Sequence, residues 1–118
     1  MNVLGCVLGT PGRSTRYEVL PGQDYSNTEV VIWALGIMHG VDDANVAATL
    51  LRHGNYDHVS NDTIWDPGIA RHSLPPSLYL TAKPAWFGDA SWPPIGPDVA
   101  GWVQKIPAQL RYESMPEP

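Results

Sequence analysis

The first third of the chain alternates short apolar runs with glycine and proline turns. Asn2–Gly5 (NVLG) is followed by a run of the same form, Cys6–Gly9 (CVLG), and Tyr17–Leu20 (YEVL) ends at Pro21-Gly22. Short apolar runs that close on glycine are typical of short β-strands separated by tight bends. Val30–Ile37 (VVIWALGI) is the most apolar stretch, and its β-branched start favours a buried strand over a helix. Short stacked strands are therefore expected throughout this third.

The middle of the chain allows two predictions. Asp42–Gly54 can form a helix over residues 43–53, with an aspartate capping its amino end and Gly54 closing it, since its apolar residues share one face. A strand through Thr49–Leu51 fits the same residues equally well. Val59–Trp65 is predicted to be the last strand.

Proline changes the character of the chain from Asp66 onward, because ten of its 12 prolines follow that residue. Proline removes a backbone donor and fixes φ, so this half is not expected to be a regular central sheet. Its aromatic content predicts an ordered, irregular wrap over an apolar surface, formed by Tyr79, Trp86, Phe87, Trp92 and Trp102. The 118 residues therefore read as a single domain, with strands in 1–65 and an irregular cap in 66–118.

Composition narrows the classes of partner. The net charge of −5 argues against nucleic acid, because an acidic protein gains nothing from counterion release on a phosphate backbone. No apolar run reaches the roughly 20 residues that span a bilayer. No signal peptide is visible at the amino end. The single cysteine, Cys6, excludes an internal disulfide and is expected to be an inert, buried thiol.

Four stretches carry a resemblance: RHGNYDHV, LPPSLYLTAKPAWFG, WPPIGPDVAG and KIPAQLRYE. They resemble the carboxy-terminal region of bacterial and phage-associated right-handed parallel β-helix proteins, which are related in fold to pectate lyases. The resemblance implies an all-β fold, in which residues 1–65 form the last rungs of a right-handed parallel β-helix and 66–118 form its cap. It also implies an extracellular or cell-surface location and polysaccharide as partner. It maps no catalytic residue onto this chain.

The densest polar cluster supplies the candidate catalytic residues, which are His53, Asp57, His58 and Arg71. Two imidazoles and a carboxylate can hold a divalent metal with open positions, so His53, Asp57 and His58 are weak candidate ligands. An arginine beside such a metal could neutralise a uronate and acidify its α-proton. The competing interpretation is a hydrogen-bonded turn in which Asn55 and Asp57 satisfy backbone groups.

A second polar group, His39 with Asp42 and Asp43, could serve acid–base chemistry. Adjacent residues on a strand point to opposite faces, however, so the two aspartates are not expected to converge on one bond. Capping of the helix is the favoured role.

The aromatic residues supply candidate sugar-binding positions, namely Trp86, Trp92 and Tyr79. Aromatic faces suit the apolar faces of pyranose rings. The competing interpretation, core packing, is favoured, because a buried ring removes on the order of 150–250 Å² from water. Trp86 is accordingly predicted to be buried.

Three functions follow from these patterns. The first is a terminal module of a secreted, polysaccharide-associated β-helix protein. The second is a small polysaccharide lyase or glycoside hydrolase that acts with or without a divalent metal. The third is a lectin-like or adhesive surface module, which exposed aromatic residues would favour. A homo-oligomer is expected in addition, because Val3, Leu4, Val7 and Leu8 would otherwise form an open apolar end.

Overall fold

The structure is a computed structural model that describes residues 1–26, 28–37, 41–77 and 79–116. Short strands dominate the first 64 residues, and a 3₁₀ turn and a helix lie in the tail. In chain order the elements are β1 (Asn2–Leu4), β2 (Val7–Leu8), β3 (Arg16–Val19), β4 (Val31–Ala34), α1 (Asn45–Thr49), β5 (Leu51–His53), β6 (Asn55–Asp57), β7 (Asp62–Ile64), a 3₁₀ turn (Ala85–Phe87) and α2 (Pro107–Ser114).

The strands form three separate small sheets. β1 pairs with β5 and β3 pairs with β4, both in parallel. β2 pairs in parallel with β6, which also pairs with β7 in the antiparallel sense. No sheet of the described residues holds more than three strands, and two helices accompany them. The predicted all-β fold with rungs of a right-handed parallel β-helix is therefore wrong, and the architecture is mixed α/β.

The middle segment contains a helix followed by a strand, but the helix is shorter than predicted and the strand begins where the predicted one ends. α1 ends at Thr49, and β5 follows at Leu51. The Asn45 N–H donates to Asp43 Oδ1 at 2.9 Å, so an aspartate does satisfy a donor at the start of the helix. Gly54 does not close the helix. It forms the corner between β5 and β6 instead, with φ of +68°, and a Cβ there would lie 2.6 Å from Leu74 Cδ2.

The buried side chain of Asn55 ties two corners of the chain together. Its Nδ2 donates to the Val3 carbonyl at 2.8 Å, and its Oδ1 accepts the Cys6 N–H at 2.9 Å. The first bond reaches a carbonyl of β1, and the second satisfies the backbone N–H of Cys6 in the turn between β1 and β2. The side chain thereby fixes the register of β1 against β5.

The tail is less irregular than the prolines predict. Ile106 is extended, with φ −76° and ψ 155°, as expected for a residue that precedes proline. Pro107 then opens α2 at a position where its missing N–H costs nothing. Lys105, which precedes α2, forms an ion pair with Glu113 on that helix, with 2.6 Å between Nζ and Oε2. Among the described residues, α1 and α2 are both too short to cross a bilayer.

The core lies where the tail meets the strands. Leu74, Ile95 and Ile106 form the buried cluster, and the Leu74 N–H donates to the Ile95 carbonyl at 2.7 Å. Residues from both halves pack around it, namely Leu4, Tyr56, Trp65, Trp102 and Ala108. The prediction that the tail covers an apolar surface holds at Trp102, while Leu74, Ile95 and Ile106 provide the buried centre.

Ile106 is fully buried, so Ile106→Ala is expected to lower the free energy of unfolding by about 2–5 kcal/mol, measured by chemical denaturation. Ile106→Val removes a single methylene and is expected to cost about 0.5–1.5 kcal/mol. Val103→Ala, at a side chain that is mostly exposed, is the control. Equal losses for Ile106→Ala and Val103→Ala would contradict the assigned core.

Candidate functional site

Two of the four candidate catalytic residues are buried and serve the backbone. His53, 2% exposed, accepts the Asp66 N–H on Nδ1 at 3.1 Å, and its ring meets the edge of Trp65 at 4.9 Å. Asp57 is fully buried. Its Oδ1 accepts the N–H groups of Val59 and Ser60 at 2.9 and 2.7 Å. The interpretation of Asn55 and Asp57 as residues that satisfy backbone groups is confirmed.

His58 and Arg71 lie in different surroundings. The His58 ring lies against the rings of Tyr56, at 5.2 Å, and Tyr112 of α2, at 5.0 Å. Arg71 is exposed on a bend that follows β7. In the described part of the chain no three His, Cys, Asp or Glu side chains lie close enough to hold a metal ion. The structure therefore gives His53, Asp57 and His58 packing and turn roles. Arg71 has neither role and lies in solvent.

The second polar group is separated as well. Asp42 Oδ2 accepts the Gly22 N–H at 2.9 Å, whereas Asp43 Oδ1 accepts that of Asn45. His39 lies outside the described residues. The two aspartates thus bind different backbone groups, in agreement with the expectation that they do not converge.

A polar cluster sits beside the β3–β4 pair. Arg52 forms an ion pair with Glu18, and its guanidinium lies over the Trp33 ring at 5.4 Å. Burial raises the pKa of Tyr17 in this cluster above its usual 10.0, Arg52 opposes the rise, and the Asp57 and Glu18 carboxylates add to it. The Tyr17 phenol therefore stays neutral to a higher pH than that of a tyrosine in solvent.

Two of the three aromatic candidates, Trp86 and Tyr79, are exposed. Trp86 is 73% exposed and Tyr79 is 94% exposed, so the prediction that Trp86 is a core residue is wrong. Two features hold Trp86 outward: the 3₁₀ turn that carries it, and Gly88, whose φ of +64° ends that turn. Phe87 packs edge-to-face against Trp86 at 5.8 Å and against Trp92 at 5.1 Å. Trp92 is partly buried and lines a smaller cavity of about 180 Å³.

Trp86 forms one wall of an open groove of about 1140 Å³. The groove runs between the 3₁₀ turn, the β1 corner and α2. Its lining is mainly apolar, and the residues are Leu4, Gly5, Leu74, Pro75, Trp86, Phe87, Gly88, Asp89, Ala90, Pro93, Pro107, Ala108, Leu110, Arg111 and Ser114. None of His53, Asp57, His58 and Arg71 contributes to this lining or to that of the smaller cavity. Of the candidate catalytic and sugar-binding residues predicted from the sequence, Trp86 alone lines the groove.

Two charged residues line the groove, Asp89 beside the 3₁₀ turn and Arg111 in the last turn of α2. Both are exposed, and neither belongs to an ion pair among the described residues. Glu113 on the same helix is different, because it forms an ion pair with Lys105, whose hydrogen bond lowers the pKa of that carboxyl and favours its charged form. Sequence reasoning did not single out Asp89 and Arg111, since they are far apart in the chain and no sequence pattern brings them together.

Tyr17 gives a test of the polar cluster. Because its pKa is raised in the folded state, its contribution is fully present below pH 10 and is lost as pH rises through the folded pKa. We expect the free energy of unfolding to fall with pH above 10, and Tyr17→Phe to remove part of this slope, as followed by denaturation at several alkaline pH values. Tyr79→Phe, in solvent, is the matched control. Identical slopes for both variants would refute the role of Tyr17.

Comparisons of the chain with protein-family models, with curated proteins and with solved structures gave no match. The resemblance to the ends of β-helix proteins therefore stays a prediction from sequence, and the function is argued from the groove and its residues.

Proposed function

We propose that this protein is an extracellular polysaccharide-binding module and that the groove walled by Trp86 holds the sugar. The observation that carries the proposal is the exposure of the Trp86 indole, 73%, at the edge of an apolar groove. An exposed apolar ring that continues into an apolar groove marks an interaction surface, and the groove adds the concave shape typical of ligand sites. This favours the lectin-like function over a purely structural one.

The residues of the groove suit the two kinds of surface that a sugar presents. The Trp86 face stacks on the C–H groups of a pyranose ring and excludes water from both. The Asp89 carboxylate accepts hydrogen bonds from hydroxyl groups, and the Arg111 guanidinium donates to hydroxyls or to a uronate carboxylate. Phe87 packs between the rings of Trp86 and Trp92 and so limits the motion of the Trp86 ring. Apolar walls with a few polar groups provide affinity and orientation together.

Binding accounts for these residues better than catalysis does. Glycoside hydrolysis uses a pair of carboxylates that flank the scissile bond. The described lining of the groove contains one, Asp89. His53 and Asp57 are buried, and each is hydrogen-bonded to the backbone through one side-chain atom. The lyase or hydrolase hypothesis consequently has no converging set of groups in its support.

A second copy of this chain is the other partner that we propose. β1 carries partly exposed apolar side chains at Val3 and Leu4, and Met1 before them is largely exposed. Apolar surface left in water costs about 25 cal/mol per Å². Association of two chains would remove this surface from water, and a homo-oligomer follows.

Trp86→Ala tests the sugar site. On the polysaccharide that the wild-type protein binds best, chosen by affinity electrophoresis from a panel of plant and algal polysaccharides, we expect at least about a tenfold loss of affinity, or about 1.4 kcal/mol. The free energy of unfolding should change by no more than about 0.5 kcal/mol, because the ring lies mostly in solvent. Calorimetry and chemical denaturation give the two quantities.

Tyr79→Ala is the matched control, since Tyr79 is even more exposed than Trp86 but is absent from the groove lining. Its affinity should equal that of the wild type. Failure of the wild type to bind any polysaccharide of the panel would defeat the proposal. Equal losses of affinity for Trp86→Ala and Tyr79→Ala would show that exposed aromatic residues bind the polysaccharide nonspecifically and that the groove is not the site.

A further inference from the structure

We infer that the free edge of β1 is the surface through which two copies of this chain associate, by strand pairing across a two-fold axis. This rests on the proposed homo-oligomer and assigns its contact. The partner it fits is a second, antiparallel β1.

The hydrogen bonds of β1 show which backbone groups are already used. The Leu51 N–H donates to the Met1 carbonyl at 3.1 Å, and the Gly5 N–H donates to the His53 carbonyl at 3.4 Å. Met1, Val3 and Gly5 therefore direct their backbone groups toward β5. Alternate residues of a strand direct theirs to opposite edges, so Asn2 and Leu4 point away from β5. No described strand pairs with that side of β1.

The β1 edge lacks the features that normally prevent strand addition. Natural edges are blunted by charged side chains, prolines or bulges. Asn2–Gly12 contains no charged side chain, and its single proline, Pro11, lies beyond β2. The Leu4 carbonyl receives only a thiol contact, from Cys6 Sγ at 3.4 Å, and a thiol is a weak donor.

The edge of β3 in the same protein is protected. Arg16 Nε donates to the Glu18 carbonyl at 3.0 Å on the side away from β4. The same guanidinium binds the Asp24 carbonyl at 2.8 Å and Glu29 Oε2 at 3.4 Å, which folds the following loop over that edge. A chain that covers one free edge with an arginine and a loop, and leaves another uncharged and open, has its open edge available for pairing.

A second copy satisfies the β1 edge without new chemistry. With Val3 opposite Val3 of the partner copy, each Asn2 exchanges both backbone hydrogen bonds with Leu4 of the partner copy, as in an ordinary antiparallel pair. The facing valines make an apolar cross-strand contact. Each chain has a net charge of −5, yet the contact itself brings no charged side chains together. The same patch serves both copies, which closes the assembly at two.

Asn2→Pro tests this contact, because it removes the N–H that faces the partner and leaves the bonds to β5 in place. Asn2→Ala is the matched control, since it truncates the same side chain but retains the N–H. We expect the wild type and Asn2→Ala to sediment with twice the chain mass of 12.9 kDa. The dimer dissociation constant of Asn2→Pro should rise at least about tenfold. Exchange of the Leu4 amide hydrogen in the wild type should slow as protein concentration rises.

The outcomes distinguish a failure of the proposed homo-oligomer from a failure of the β1 contact alone. A wild type that remains at 12.9 kDa at high micromolar concentration overturns both the homo-oligomer and its surface. A dimer that Asn2→Pro weakens no more than Asn2→Ala overturns the β1 contact alone. If Asn2→Pro fails to fold, a Leu4 amide whose exchange does not depend on concentration overturns the β1 contact in the wild type.

Discussion

Leu74, Ile95 and Ile106 of the tail pack against Leu4 and Tyr56 of the strands, and this contact joins the two halves of the chain. The strands are two to four residues long, and in the described part of the chain they form sheets of at most three. Small sheets of this kind need packing against another element to be stable. The tail provides that element. The groove lies along the same junction, so the packing of the tail on the strands forms both the core and the groove.

Buried polar groups explain why the most suggestive sequence cluster has a structural role. Burying a polar group without a partner costs roughly 1–3 kcal/mol. Turns between very short strands leave many backbone donors unpaired, and Asn55, Asp57 and His53 each accept or donate to such groups. Side chains that resemble metal ligands or acid–base pairs in the sequence thus form hydrogen bonds with backbone groups.

The groove and the β1 edge lie close to each other, since Leu4 and Gly5 line the groove at the point where β1 ends. A two-fold contact along β1 would therefore place two grooves on one assembly. Two linked sites of modest affinity bind a polymer far more tightly than either does alone, provided that both can engage one ligand. This arrangement suits a repetitive ligand such as a polysaccharide and relates the two proposed partners to each other.

Local pattern determined most of the strands, because short apolar runs between turns leave few alternatives. β1, β2, β4 and β7 lie within the predicted segments, and β3 begins one residue before its segment. It also gave the turn roles of Asn55 and Asp57, which depend on neighbouring backbone. Pairing depends on contacts between residues distant in the chain, so the separate sheets, and with them the mixed α/β fold, were decided by tertiary structure. Tertiary structure also decided that Trp86 is exposed and that Asp89 and Arg111 line one groove. Residue type gives a side chain its chemistry, but only packing decides whether it faces a core or a ligand.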